Sequence, residues 1–234
     1  MSEFKEPNIS PTDRGESNEA EQQLINEAVK KITEGDWSVL ENSELGQQEI
    51  ALKLIEAEEG VLLVINLNRF KRLDYQEIAL KLIEAGLGSA IVRNIDKCPA
   101  KDHQEIILKL FDDDRTDNGY IIKNLINFKM LGEKTALKMI EIEQGNMIPH
   151  RLYNFEGLDL LKIALKLIEA GEVAEVAQGI KGFPDKDHKE IALKIMEAGQ
   201  GDEIALNFYK FRGLDSETAQ DIKGRFSRLG ITEH

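Results

Sequence analysis

QEIALKLIEAEEGVLLVINLNRFKRLDY, residues Gln48 to Tyr75, is one copy of a pattern that recurs along this chain. Its Ile-Ala-Leu-Lys tetrad, or a close variant, returns every 28 or 29 residues. The tetrads end at Lys53, Lys81, Lys109, Lys138, Lys166 and Lys194. A fixed period of this size is typical of a tandem array in which one repeat alone cannot bury its apolar face.

The repeat predicts two helices. Numbered 1 to 28 from Gln48, it carries apolar residues at positions 3, 4, 5, 7 and 8, and again at 16, 17, 20 and 23. Spacings of three and four residues predict two amphipathic helices of about 10 to 12 residues each. No alternation of the kind that a strand requires is present. The fold class predicted is therefore all-α.

Glycine and aspartate recur at the predicted ends of the helices. Glycine follows the first helix, where a left-handed residue would end it; the residues are Gly60, Gly86, Gly88, Gly145, Gly171, Gly199 and Gly201. Aspartate at position 27 predicts an N-cap for the next repeat, at Asp74, Asp102, Asp159, Asp187 and Asp215. In three repeats a glutamate follows with capping-box spacing. Glutamates four residues before the tetrad lysines predict ion pairs on an exposed outer face.

Stacked antiparallel helix pairs resemble the α-solenoid class, and HEAT and armadillo-like repeats most in style. The resemblance covers about residues 20 to 230. The repeat is shorter than those of HEAT, armadillo, tetratricopeptide or pentatricopeptide proteins and lacks the tetratricopeptide Trp-Leu-Gly-Tyr pattern, so no specific family is identified. The resemblance implies a right-handed superhelix whose second helices line a concave groove that holds a partner.

The domain organisation follows from the register of the tetrads. Residues 1–20 are polar and predict a disordered tail, and residues 21–47 a degenerate capping pair in which Trp37 covers the end of the core. Six repeats follow, at 48–75, 76–103, 104–132, 133–160, 161–188 and 189–216, and residues 217–234 form a C-terminal capping helix and tail.

Composition narrows the class of partner and compartment. A net charge of −13 disfavours unselective attraction to nucleic acid or to an anionic membrane. The single cysteine, Cys98, allows no intrachain disulfide, and a reducing, cytoplasmic setting is expected. No signal peptide is apparent and no apolar run approaches the length of a spanning helix. We expect a monomer that makes no contact with membranes.

One surface departs from this acidic background. Positions 18, 19, 21 and 22 of the second helices hold seven Lys or Arg and one acid, Asp96. Asparagine fills position 19 in four of six repeats. The candidate partner-binding residues are Asn66, Arg69, Arg93, Asn94, Lys97, Lys123, Asn124, Asn127, His150, Arg151, Tyr153, Asn154, Lys181, Asn207, Tyr209 and Lys210.

The asparagine column has two interpretations. Because an amide both donates and accepts hydrogen bonds, one amide per repeat could hold the main chain of an extended peptide. An asparagine ladder serves in this way in armadillo proteins, which the column resembles in chemistry. Alternatively, duplication copied an asparagine whose amide bonds a neighbouring loop and binds no partner.

The function predicted is a non-enzymatic scaffold that binds an extended or helical, acidic peptide segment. The alternative is a helical-repeat protein that binds single-stranded nucleic acid. No phosphate loop, metal motif or nucleophile with its base is present, so neither enzyme activity nor a cofactor is expected. His103 and His188, at helix entrances, are expected to be solvated, and the acidic loop from Asp112 to Asp117 lacks the glycine and glutamate of a calcium loop.

Overall fold

The protein is all-α in the computed structural model, which describes residues 11–41, 46–99 and 103–229, with side chains described from residue 19 to 224. These ranges contain thirteen α-helices, nine short 3-10 helices and no strand. The α-helices are α1 (Pro11–Thr33), α2 (Gln47–Glu56), α3 (Gly60–Ile65), α4 (Tyr75–Glu84), α5 (Gly88–Asn94), α6 (Gln104–Phe111), α7 (Asn118–Lys123), α8 (Glu133–Glu141), α9 (Leu160–Glu169), α10 (Val173–Gln178), α11 (His188–Glu197), α12 (Gly201–Asn207) and α13 (Ser216–Leu229).

The first helix of each repeat carries the tetrad, and its apolar face enters the core. In α2, Ile50, Ala51 and Leu54 are buried, as the spacing of three and four residues predicts. Leu52, the third residue of the tetrad, is only half-buried, and Leu193 of the last repeat is exposed. The tetrad therefore contributes two core residues per repeat, with its leucine at the edge of the core.

The second helices are shorter than predicted. They have six or seven residues, and a three-residue 3-10 helix follows each of them. In α3 the Asn66 amide donates to the Leu62 carbonyl, which is the acceptor that a continuing α-helix would use, and the Asn66 N–H bonds Leu63 instead. In the repeat 133–160, Pro149 has no N–H to donate, and two 3-10 helices replace the second helix.

Glycines occupy two kinds of position in the turn between the two helices of a repeat. Gly86, Gly171 and Gly199 have positive φ, as predicted for residues that end a helix. Gly60 instead begins α3, and a Cβ there would come within 2.4 Å of Leu87 Cδ1, so close packing explains this glycine. The other glycines that begin a second segment are Gly88, Gly145 and Gly201.

Aspartate N-caps are confirmed at three of the five predicted positions. Asp74, Asp159 and Asp215 each accept a hydrogen bond from the backbone N–H three residues later. Asp187 makes no such bond, because it lies in a 3-10 helix that leads into α11. Asp102 lies outside the described residues.

The capping box differs from its prediction at α4. Glu77 does not return its carboxylate to the Asp74 N–H; Gln48 of the preceding repeat bonds both groups through its amide. The cap is thereby shared between two repeats.

Five of the six tetrad lysines pair with the acid three residues later: Lys53 with Glu56, Lys81 with Glu84, Lys138 with Glu141, Lys166 with Glu169 and Lys194 with Glu197. For Lys53, Lys81 and Lys194 this differs from the predicted pairing with the glutamate four residues before.

The chain divides into two compact units, Met1–Ala100 and Lys101–His234. In the first unit, α2 packs against α1, α3 and α4, while α5 packs against α3 and α4. In the second, α9 contacts α8, α10 and α11, and α12 contacts α10, α11 and α13. Within each unit, helices therefore contact both their sequence neighbour and the equivalent helix of the next repeat.

Buried polar side chains link consecutive repeats. His188 is fully buried: its Nε2 bonds the Phe183 carbonyl at 3.0 Å, and its Nδ1 accepts from the Arg212 N–H at 2.9 Å. His103 is also fully buried and accepts from the Lys129 N–H through Nδ1. The expectation that both imidazoles are solvated is wrong, because the loop of the following repeat covers them.

The N-terminal region differs from the predicted tail. Residues 11–20 lie in α1, which begins at Pro11, a residue well suited to the first turn of a helix. Residues 1–10 lie outside the described residues. Trp37 is half-buried, with its ring edge-to-face with Phe70 at 6.3 Å and the Arg69 guanidinium over its face. No helix among the described residues is long and apolar enough to span a bilayer.

Candidate interaction surface

The candidate residues lie where each second helix gives way to its 3-10 helix. A 3-10 helix turns every three residues and an α-helix every 3.6, so neighbouring positions diverge in exposure at this junction. All described side chains at positions 18 and 21 are exposed, whereas those at positions 19 and 22 are mostly half-buried or buried. The predicted surface therefore separates into two sets with different surroundings.

The asparagines at position 19 bond their own helices. Each donates its Nδ2 to the carbonyl four residues earlier, at 2.8 to 3.0 Å. The four pairs are Asn66 with Leu62, Asn94 with Ala90, Asn124 with Tyr120 and Asn207 with Glu203. One amide N–H of each side chain is thus occupied by the end of its own helix, a role that neither sequence interpretation anticipated. That these amides hold a partner remains a prediction.

Side chains at position 22 donate hydrogen bonds to the preceding repeat. Lys97 donates to the Ile65 carbonyl at 3.3 Å and Lys210 to the Gln178 carbonyl at 3.1 Å; both acceptors are the last residue of the preceding second helix. A cation at that end also complements the helix macrodipole. Asn154, which is buried, donates to the Leu125 carbonyl at 3.4 Å and occupies the same place in its repeat.

Two cations at position 22 also contact the asparagine three residues earlier. Arg69 donates to Asn66 Oδ1 at 3.0 Å, and Lys210 donates to Asn207 Oδ1 at 2.8 Å. In these two repeats both ends of the amide have partners within the protein. The polar groups at positions 19 and 22 therefore stabilise the junction between helix and turn.

The exposed positions of the second unit form what we call the tyrosine strip. Its members come from positions 18 and 21 of four repeats: Lys123, Ile126, His150, Tyr153, Gln178, Lys181, Leu206 and Tyr209. Tyr153 and Tyr209 expose 69% and 75% of their surface, and Ile126 and Leu206 more than half. No acid belongs to the strip, so it combines cationic and apolar side chains.

One contact across repeats joins two members of the strip, and both tyrosines have cations beside them. Lys181 Nζ lies 5.7 Å from the centroid of the Tyr209 ring, which belongs to the next repeat, and Lys210 Nζ lies 5.6 Å from the same ring. Arg151 reaches the Tyr153 hydroxyl at 3.5 Å. Each tyrosine thus has a cation beside it, which keeps the strip positive around its aromatic rings.

The equivalent positions of the first unit differ in character. They hold Ile65, Asn68, Arg93 and Asp96, all exposed, with Val61 one turn before Ile65. This surface has no aromatic side chain, and its acid offsets its cation. The strip of the second unit is therefore the stronger candidate for an interaction surface.

The apolar members of the strip are candidate residues that sequence reasoning missed. Ile126 and Leu206 stand in the same columns as the predicted residues, but selecting polar and charged side chains left them out. The signal that could have identified them is positional: an apolar residue at position 18 or 21 falls outside the buried set at positions 16, 17, 20 and 23. Asn127, the remaining candidate, is half-buried.

Carboxylates in and near the acidic loop from Asp112 to Asp117 form hydrogen bonds and ion pairs with neighbouring groups of the protein. Partial burial raises the pKa of Asp113, but hydrogen bonds from Arg115 and Thr116 outweigh it, so that the pKa is lowered overall. Asp117 caps α7 by accepting from the Tyr120 N–H. Hydrogen bonds to Asp112 and Glu141 raise the pKa of Lys138.

No group of three or more His, Cys, Asp or Glu side chains that could hold a metal ion occurs in the described part of the chain.

Most of the predicted partner-binding residues belong either to the tyrosine strip or to positions 19 and 22, where side chains bond groups within the protein. The chain matches no protein family model, no curated protein and no solved structure.

Proposed function

We propose that this protein is a non-enzymatic scaffold that binds an acidic peptide segment, and that the tyrosine strip is its binding surface. The observation that carries the proposal is the exposure of two tyrosines beside cations on an acidic protein: Tyr153 beside Arg151, and Tyr209 beside Lys181 and Lys210. Tyrosine and cationic side chains are common anchors at protein interfaces. An acidic ligand would complement the cations there.

Helix electrostatics alone accounts for only part of this surface. Cations are favoured at the C-terminal ends of helices, and the strip lies at such ends. The macrodipole therefore explains Lys123 and Lys181 without a ligand. It gives no reason for tyrosine, isoleucine and leucine to face solvent at the same positions, and these side chains favour a binding role.

The proposed architecture is an α-solenoid. Its support is the contact between equivalent helices of successive repeats within each unit, as with α2 and α4 in the first unit and α10 and α12 in the second. Such stacking presents one surface per repeat in a row, which suits an elongated ligand.

Single-stranded nucleic acid is the second candidate. Exposed tyrosines flanked by Lys181 and Lys210 could stack on bases while the lysines contact phosphates. The overall charge of −13 opposes this ligand. We therefore prefer the acidic peptide and treat nucleic acid as an outcome of the test.

The test is selection of peptide ligands from a phage-displayed pool of random 13-residue sequences. Enriched peptides are expected to be acidic with apolar residues between the acids. Their binding, measured by fluorescence anisotropy, should be lost in the variant Tyr153→Ala/Tyr209→Ala and in Lys123→Glu/Lys181→Glu. The matched control for charge is Lys166→Glu/Lys194→Glu on the outer face, which should bind as the wild type does.

Two results would overturn the proposal. One is an absence of enriched peptides; the other is enriched peptides that bind the strip variants and the wild type equally. A 15-nucleotide oligo(U) probe is measured in parallel at low salt. Binding of oligo(U) that depends on the strip, without any selected peptide, would favour the second candidate.

A further inference from the structure

The strip repeats at a distance that restricts the conformation of its ligand. Packed helices lie about 8 to 10 Å apart, so equivalent residues of successive repeats recur at about that interval. The Lys181 side chain extends toward the next repeat, so that its Nζ lies 5.7 Å from the centroid of the Tyr209 ring. At position 21 the order along the strip is Tyr153, Lys181, Tyr209. An aromatic ring, a cation and a second ring therefore follow one another over about 20 Å.

We propose that the ligand binds as a polyproline II helix, with one turn of the ligand for each repeat. A polyproline II helix has three residues per turn and rises about 3.1 Å per residue, which gives about 9.3 Å per turn. Ligand residues i, i+3 and i+6 then face Tyr153, Lys181 and Tyr209 in turn. The motif is an apolar residue or proline, an acid three residues later, and a second apolar residue or proline three residues after that. This proposal rests on the proposed function.

Other conformations fit the strip less well. In a β-strand, residues alternate between faces, so an acid at i+3 would point away from Lys181 when i and i+6 face the tyrosines. An α-helix is about 10 Å wide and binds through a continuous apolar face in a groove. Tyr153 and Tyr209 are too exposed to form the walls of such a groove. Polyproline II ligands, in contrast, bind surfaces lined by aromatic side chains.

The chemistry at each contact follows from the side chains present. The flat rings of Tyr153 and Tyr209 offer apolar faces to proline or leucine, at little entropic cost because the ligand is already extended. Lys181 Nζ lies 5.7 Å from the centroid of the Tyr209 ring and can pair with a carboxylate of the ligand. Lys210 is held by Gln178 and Asn207, so we assign the ion pair to Lys181.

The test uses labelled proline-rich peptides of one composition. The in-register peptide contains Leu-Pro-Pro-Glu-Pro-Pro-Leu, and two controls place the leucines five and seven residues apart. A fourth peptide is alanine-rich and helical, with leucines at i, i+7 and i+14. Anisotropy with the full chain should show at least tenfold tighter binding of the in-register peptide. Tyr153→Ala and Tyr209→Ala should each weaken it about tenfold, and Lys181→Ala several-fold with less dependence on salt.

The outcomes separate the two proposals. Equal affinity for the three spacings, or preference for the helical peptide, overturns the polyproline II register and leaves the scaffold function in place. The same holds if none of these peptides binds while acidic peptides from the displayed pool bind through the strip. If neither the proline-rich peptides nor any pool peptide binds, both proposals fall.

Discussion

Two sets of side chains lie next to each other at the end of every second helix, and they have opposite surroundings. Asn207 at position 19 is buried and bonded at both ends of its amide, whereas its neighbour Leu206 at position 18 is exposed. Polar residues here are structural and apolar ones face solvent, which reverses the usual assignment. Residue type alone therefore does not separate the exposed side chains of this repeat from the bonded ones; position at the helix end does.

Among the polar and exposed side chains, the largest effect is expected where one of them joins two repeats inside the core. In His188→Ala, the Phe183 carbonyl and the Arg212 N–H both lose their imidazole partner in a buried place. Two unsatisfied groups and a cavity predict a loss of about 3 kcal/mol in the free energy of unfolding. Urea unfolding followed by circular dichroism measures it.

The chain itself suggests the control for this variant. Gln47 occupies the corresponding place in the first unit, where its Oε1 accepts from the Lys71 and Arg72 N–H groups. His188→Gln should therefore keep the acceptor and lose about half as much stability as His188→Ala. A loss below about 0.5 kcal/mol in His188→Ala would contradict the role given to the imidazole.

The second effect tests the asparagine column. Asn207→Ala removes the bonds to Glu203 and Lys210, and should lower the free energy of unfolding by about 1 to 1.5 kcal/mol. Asn207→Asp keeps an acceptor for Lys210 and should lose less. Unfolding in urea and affinity for a selected peptide are measured together.

Either measurement can overturn this account of Asn207. Unchanged stability with loss of peptide binding would show that the amide serves the ligand, which is the first interpretation of the sequence pattern. Loss of stability with unchanged affinity supports the structural role.

The structural features that recur once in every repeat were predictable from the sequence. Apolar spacing of three and four residues placed the first helices, and Asp74 and Asp159 were correctly predicted as caps because an N-cap depends on a local bond. The all-α class follows from the same spacing. These features involve residues within a few positions of one another, so a single repeat contains the information.

What the sequence could not predict depends on contacts between repeats. Burial of His103 and His188 arises from a loop about 25 residues further along, which no local pattern specifies. In four repeats an asparagine side chain takes a backbone acceptor where the second helix gives way to a 3-10 helix. The exposure of Ile126 and Leu206 follows from that change of helix type, so the apolar part of the strip was missed for the same reason.

A smaller effect tests whether an exposed side chain can still be structural. Asp215 caps α13 at the surface: hydrogen bonds from Lys189 first, and then from the Thr218 backbone, hold its pKa well below the ordinary value of 3.8. A lowered pKa means that the contribution to stability is present above pH 3.8 and is lost as the pH falls below it. Because exposed pairs contribute little, the loss should be smaller than for Asn207→Ala.

The measurement is the thermal midpoint of the wild type and of Asp215→Asn between pH 6 and pH 2.5. Asparagine can still cap the helix but does not titrate in this range. The difference between the two proteins should be constant at the upper end and shrink below pH 3.8. A difference that stays constant throughout would contradict the assignment.

The smallest effect on stability is expected in the tyrosine strip. The same variants should have a large effect on peptide binding. Tyr153 and Tyr209 expose 69% and 75% of their surface, so Tyr153→Ala/Tyr209→Ala should change the free energy of unfolding by less than about 1 kcal/mol. The lysines near Tyr209 set the upper limit, because an exposed cation over a ring contributes about 0.5 to 1 kcal/mol.

Phe211→Ala is the matched control, two residues beyond Tyr209 and buried, and it should lose about 3 to 5 kcal/mol. If removing the two tyrosines lowered the free energy of unfolding by more than about 1 kcal/mol, they would be structural, like the side chains at positions 19 and 22. The distinction between an exposed and a structural set of side chains would then be wrong. If stability is unchanged while selected peptides no longer bind, then the exposure of these rings is explained by the ligand, since the fold does not require tyrosine at either position.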